Sequence, residues 1–414
     1  MAVWWMLLAC GWQKTESELP INGPHHAIVI VSDTLRADAL TRAHTPIYDD
    51  LVQRGSAARR AWAPSTWTAP SVIAMFTGAS VRTTGWDLPM PRFMAVERVV
   101  YPQIPETMPT LAQVLDGAGF ETVGLYANPL LRRELGVDRG FDAWAHEPSD
   151  PRLVQLARQE IAGWDDGRRH FLYIHLHGAH QTLSPSKEAM ARYDLTPEDL
   201  DDLPNGPGLR LKKPRENQPG ARDRYVRAYH AVVEDNDRRV GEILDALGKH
   251  REKTVIIFTS DHGEMLGEHN QFGHEQWVYE PLTHVPFVGE NLSQPIPAVT
   301  NTTILPDLLC QSLGVDASWP STVREPLPLV SQRVGKVALS PEGDLKGIWD
   351  RRLVAYDLST DPLENAPLRG DARQTLIDER EAWEARVPVG EPLIGQQSVS
   401  GGMMEALREL GYLD

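Results

Sequence analysis

Four short runs of the chain are apolar at nearly every position: AIVIVSD (27–33), TVGLYAN (122–128), FLYIHLH (171–177) and TVIIFTSD (254–261). A strand with one wet face alternates, whereas these do not. They therefore predict strands covered on both faces. Between them lie stretches with helical spacing, PTLAQVLDGAGF (109–120) and the long amphipathic RYVRAYHAVVEDNDRRVGEILDALGKH (224–250). Strands alternating with helices predict an α/β sandwich around a mostly parallel sheet. Residues 184–222 are rich in Pro, Gly and charge and read as a long surface excursion. After about residue 322 the pattern weakens; VREPLPLVSQRVGKVALS, GIWDRRLVAYDL and MMEALRELGYL suggest a small α+β subdomain. The expected organisation is an N-terminal segment (1–22), a catalytic domain (23–322) and a C-terminal subdomain (323–414).

Composition narrows the function. The 414 residues carry a formal net charge of -16 and no long Lys/Arg run, the densest cluster being LKKPR around Lys212. Nucleic acid is therefore excluded as the main partner. An anionic substrate would need local positive charge from a metal or a few histidines. A core of this size needs no disulfide. Of the two cysteines, Cys310 in ILPDLLCQSLGV sits in an apolar helical pattern and reads as a core thiol. Cys10 ends the run MAVWWMLLACG, which resembles a bacterial lipoprotein signal without the usual basic residues before it. That reading predicts a periplasmic or outer-membrane lipoprotein anchored at Cys10; a truncated start and a cytoplasmic protein is the competing one. Elsewhere no stretch reaches the roughly 20 apolar residues of a membrane span.

Ligands of open parallel sheets bind beyond the carboxyl ends of the strands. There the first run ends in Ser32-Asp33-Thr34, the third in His175-Leu-His177-Gly-Ala-His180 and the fourth in Ser260-Asp261-His262-Gly-Glu264. Asp33, Asp261 and His262 form a metal-ligand set of two anionic oxygens and one nitrogen, with Gly263 expected to let the backbone bend. The stretch STWTAPSVIAMFTG (65–78) places hydroxyls and a proline before an apolar run. Pro70 suits a first helical turn. Thr68 or Ser71 then lies at the helix mouth, Thr68 either as a plain N-cap or as an attacking hydroxyl.

SDTLRADAL (32–40), WTAPSVIAMFTG (67–78), FLYIHLHGAH (171–180), FTSDHGEMLGEHNQFGHEQWVYEPLTHVPFV (258–288), YDLSTDPLEN (356–365) and LRELGYL (407–413) resemble, in order, motifs of the sulfatase family of the alkaline phosphatase superfamily. The resemblance implies a three-layer alkaline phosphatase-like sandwich and one divalent metal held by Asp33, Asp261 and His262. Family usage implies calcium, whereas mixed Asp/His ligation favours manganese or zinc. The family nucleophile opens a Cys/Ser-x-Pro-Ser-Arg motif, which here reads Thr68-Ala69-Pro70-Ser71-Val72. Thr68 thus takes the nucleophile position and contacts the metal, and His180 and His274 become the substrate-binding and acid candidates. Two departures matter. Threonine cannot become the formylglycine aldehyde of sulfatases proper, and Val72 removes the motif's cation. The implied activity is hydrolysis of a small sulfate or phosphate ester. Phosphodiester or phosphonate monoester hydrolysis, phosphotransfer, and a catalytically impaired metal-binding homologue are the alternatives.

Overall fold

The apolar runs must pair their backbone groups with one another, because no water reaches them. In the computed structural model they form β1 (His26–Ser32), β3 (Phe120–Tyr126), β5 (Arg169–Leu176) and β6 (Thr254–Ser260), joined by β2 (Ser56–Ala57), β4 (Ala143–His146) and β7 (Phe287–Glu290). The structure describes residues 24–86, 98–201, 203, 220–274, 276–317, 328–333, 335–390 and 393–398. The Cys10 segment, the basic cluster at Lys212 and the MMEALRELGYL segment lie outside these residues. Strand order is β2-β7-β6-β1-β5-β3-β4. The five strands from β6 to β4 are parallel, and β7 runs antiparallel to both of its neighbours.

Side-chain alternation along the strands builds two apolar layers. Ala27, Val29 and Val31 pack with Val72, Ile73 and Phe76 of α2 (Thr68–Thr77), Leu111 and Leu115 of α3 (Leu111–Gly117), and Leu309 and Cys310 of α6 (Leu305–Ser312). Cys310 is a buried thiol, and burial pushes it up to about 12. Ile28 and Ile30 pack with Leu51 of α1 (Pro46–Arg54), Leu153 and Ala157 of α4 (Asp150–Ile161), and Ala228, Val232 and Ile243 of α5 (Ala221–Leu247). The result is the expected three-layer α/β sandwich. Within the 184–222 stretch, Lys187–Arg192 and Pro197–Asp201 form short helices.

Register matters more than shape. Ser32 of β1 pairs with Leu176 of β5 on one side and with Ser260 of β6 on the other. Asp33 and Asp261, each the next residue, therefore leave the sheet side by side. Helix α5 holds the turn: Tyr229 donates to Thr34 O at 2.6 Å, and Asn236 donates to Ser32 Oγ at 2.9 Å. Gly178 completes it. A Cβ there would stand 2.4 Å from Ser32 Oγ and 2.8 Å from Asp33 N, at a φ of +61°, so only glycine fits.

The C-terminal part is an antiparallel sheet of β8 (Leu329–Arg333), β9 (Lys336–Ser340), β10 (Leu345–Trp349) and β11 (Leu353–Asp357). Helix α7 (Ala372–Arg386), which the sequence pattern did not single out, covers it through Leu376 and Trp383. This sheet abuts the segment that leads into α2: Gln332 N donates to Pro64 O at 2.8 Å, and Ser65 Oγ donates to Gln332 O at 2.7 Å. A buried ion cluster seals the join. Lys346 Nζ lies 2.8 Å from Glu364 and 3.2 Å from Glu280, beneath the Trp62 ring.

Two predictions follow from this packing. Lys346→Ala leaves the buried Glu364 without its cation, while Glu280 keeps Arg60 at 2.6 Å, and should cost about 3–5 kcal/mol of unfolding free energy; an unchanged urea midpoint would contradict it. At the other end of β1, His26 stacks on Trp164 at 4.7 Å. Burial, then the neighbouring His170 and His250, lower it from 6.5 to about 3. The unfolded chain therefore binds more protons across that window, and stability falls with acidification from pH 6.5. His26→Phe should lose less stability than the wild type between pH 7 and about 4, as read by calorimetry.

Candidate active site

Helix α2 starts at Thr68 itself. Its N-cap is Trp67, in extended conformation and without a side-chain cap bond. The N-cap reading of Thr68 therefore fails: Thr68 is already helical, and its hydroxyl is free for another use. Ser71 instead donates to Ser65 O at 3.1 Å. Asn128, two residues past β3, fixes the Thr68 oxygen. Asn128 Oδ1 accepts from Leu130 N at 2.9 Å, so its amide protons face the other way. They reach Asp33 Oδ2 at 2.7 Å and Thr68 Oγ1 at 3.0 Å. Since Thr68 Oγ1 accepts from Asn128, its own proton points elsewhere, and His262 Nε2 lies 3.4 Å away.

His262 is fully buried. Its Nδ1 sits 3.0 Å from Gly263 O, an atom that only accepts, so Nδ1 carries the proton. Burial, helped by His274, brings the imidazole down to about 4 against the pull of Asp261. The ring is thus neutral, and Nε2 presents a lone pair. That lone pair lies 3.7 Å from Asp33 Oδ1 and 3.5 Å from Asp261 Oδ2. Neither oxygen has a hydrogen-bond partner among the described residues. The three donor atoms lie within 4.8 Å of one another, and no other described group of three such residues does the same. Three facing donor atoms, two of them carboxylate oxygens, fit a cation.

The charges of the two carboxyls are under the same tension. Burial, then the charge of Asp261, raise Asp33 well above the carboxylate range. Burial also pushes Asp261 up, but His262 and His175 outweigh it and hold Asp261 low. Two carboxylates in one dry pocket are driven apart unless a positive charge joins them.

A histidine column runs away from this cluster. His274 lies 4.6 Å from His262 and 5.1 Å from His180, ring centre to ring centre. His274 Nδ1 is 3.2 Å from Glu264 Oε2, and burial pushes that carboxyl up to about 7. All six residues singled out in the sequence, Asp33, Thr68, His180, Asp261, His262 and His274, therefore occupy one connected region. Gly263 has another role than the expected one: a Cβ would stand 2.0 Å from Pro281 O, so glycine is needed for close approach. Val72, where the family motif has arginine, is fully buried in the apolar layer. Sequence reasoning missed Asn128 and His175. Asn128 stood at a strand's carboxyl end, the same signal that picked out the acids.

A family profile described as Sulfatase matches residues 25–289. Among curated proteins, arylsulfatase K of Rattus norvegicus is 45% identical over 62 residues, 14% of this chain and 11% of that protein. The match thus spans far less than two thirds of that relative. Among solved structures, the phosphonate monoester hydrolase of Agrobacterium radiobacter superposes with a TM-score of 0.66 at 16% identity, covering 91% of this chain and 100% of that one. A protein solved in complex with its substrate D-glucosamine-2-N,6-O-disulfate superposes with a TM-score of 0.66 at 15% identity, covering 88% and 97%. At such identities the structures establish the fold, while the profile, spanning residues 25–289 of 414, establishes that the chain belongs to the sulfatase family.

Proposed function

We propose that the chain is a metal-dependent hydrolase of sulfate or phosphate esters in which Thr68 is the nucleophile. The observation that carries this is the direction of the Thr68 hydroxyl: unused in capping, held by Asn128 and turned toward the His262 lone pair. Asp33, Asp261 and His262 would hold one divalent ion, calcium by family usage, manganese or zinc by the mixed donor set. Such an ion supplies positive charge that favours an alkoxide and neutralises ester oxygens.

The chain's own groups do the rest. Thr68 Oγ forms a bond to sulfur or phosphorus as the bond to the alcohol oxygen breaks. His180 or His274 gives that oxygen its proton. Water then displaces Thr68 and regenerates the hydroxyl. Asn128 keeps the Thr68 oxygen aligned throughout. With Val72 in the core, α2 brings no arginine to the reacting group, so the histidine column is the nearest source of positive charge.

An acidic protein must still admit an anion. A cleft of about 360 Å³ on the C-terminal sheet is lined by Arg82, Arg333, Arg351 and Arg352 and by the ion pairs Lys336–Asp350 and Arg380–Glu384, a net excess of positive charge. Its Arg333 guanidinium sits 4.7 Å over the Trp67 ring, one residue from Thr68. This favours a small anionic ester as the partner. Among the described residues no helix is long and apolar enough to cross a membrane. The likeness to a phosphonate monoester hydrolase favours phosphoryl or phosphonyl esters as a second substrate class, since a threonine ester of phosphate can be hydrolysed directly. Lipid anchoring at Cys10, with export to the periplasm or outer membrane, is proposed on its sequence alone.

Thr68→Ala should lower turnover of nitrophenyl sulfate, phosphate and phosphodiester panels by about 10³-fold or more, with folding intact. Comparable rates in that variant would exclude covalent catalysis here. Adding the preferred divalent ion to stripped protein at 100 times its Kd should raise unfolding free energy by about 2.7 kcal/mol. Asp33→Asn and Asp261→Asn should abolish that gain, and a gain that persists in either would place the ion elsewhere.

A further inference from the structure

His175 lies at the end of β5, opposite Val31 of β1 and Tyr126 of β3. Its side chain is fully buried. Neither ring nitrogen has a hydrogen-bond partner among the described residues. Nε2 lies 3.5 Å from Asp261 Oδ2, the same separation that His262 Nε2 keeps from that oxygen. The two oxygens of Asp261 are used differently. Oδ1 accepts from Thr34 N at 3.2 Å and from His262 N at 3.0 Å. Oδ2 instead faces the two imidazoles, His262 and His175, each at 3.5 Å.

A buried polar ring is normally given partners, and each exception calls for a reason. The ion-pair contact of the His175 ring is with Asp261 Oδ2, the carboxylate oxygen that faces the proposed ion. His175 does not join Asp33, Asp261 and His262 in the set whose donor atoms lie within 4.8 Å of one another. It therefore stands behind a ligand. Groups in that position fix a ligand's rotation and raise its affinity for the metal.

We propose that His175 is a positioning residue of the metal site: its ring presents Nε2–H to Asp261 Oδ2 at 3.5 Å and holds that carboxylate so that its remaining lone pair can meet the ion. The inference rests on the metal reading of Asp33, Asp261 and His262. It adds a residue outside the ligand set that sets how tightly the ion is held.

The test compares His175→Leu, His175→Asn and His175→Gln with the wild type. Metal-stripped protein is titrated with Mn²⁺ by calorimetry, and each metal-free variant is unfolded by heat. A glutamine amide nitrogen can reach where Nε2 stands, whereas an asparagine amide falls short. His175→Leu and His175→Asn should weaken Mn²⁺ binding about 10–100-fold, while His175→Gln stays close to the wild type. Unchanged Mn²⁺ affinity in the Asn and Leu variants, or weakening in the Gln variant equal to theirs, overturns the inference and leaves the parent reading intact. A metal-free Tm that falls with no change in affinity shows a merely structural role and overturns it too. Wild-type protein that binds no Mn²⁺, Ca²⁺ or Zn²⁺ overturns both.

Discussion

Two carboxylates and one imidazole lone pair meet in a pocket that excludes water, and the rest of the site is arranged around that meeting. Asp33, Asp261 and His262 are each fully buried. Left alone, the three donor atoms repel in a medium where a charge is costly. The sheet forces them together anyway, because β1, β5 and β6 end level with one another. The absent Cβ at Gly178, the phenol of Tyr229 and the amide of Asn236 stop the turn from relaxing. The fold is thus organised to keep an arrangement that a cation would stabilise.

The same arrangement explains how a chain of net charge -16 can handle an anion. The histidines are held in fixed orientations: Nδ1 of His262 is committed to Gly263 O, and His274 faces Glu264. Thr68 gains a direction rather than a charge, since Asn128 fixes one side of its oxygen and leaves the proton facing the cluster. The valine at position 72 makes the core better packed and the site poorer in cations.

The frame was legible in the sequence because buried parallel strands are written as unbroken apolar runs. Asp33, Asp261 and His262 were legible because the carboxyl ends of such strands are where ligands collect. Thr68 was ambiguous from its own neighbourhood, since a threonine before a helix is most often a cap; motif resemblance raised its standing, and the helix boundary at Trp67 removed the capping reading. Asn128 and His175 were visible at the ends of their runs, but their roles were not legible. Their importance depends on which way a buried side chain points and on what it fails to bond, and neither is encoded by residue type or spacing. Helix α7 escaped notice because it buries only Leu376 and Trp383, too few positions to make a periodic stripe.

The central claim concerns one point in space, and anomalous X-ray diffraction from crystals of the manganese-loaded protein addresses that point directly. The account predicts a single strong anomalous peak bonded to Asp33 Oδ1, Asp261 Oδ2 and His262 Nε2, with the Thr68 oxygen facing it. A peak bonded to other residues, or a Thr68 side chain rotated away from the ion, would contradict it.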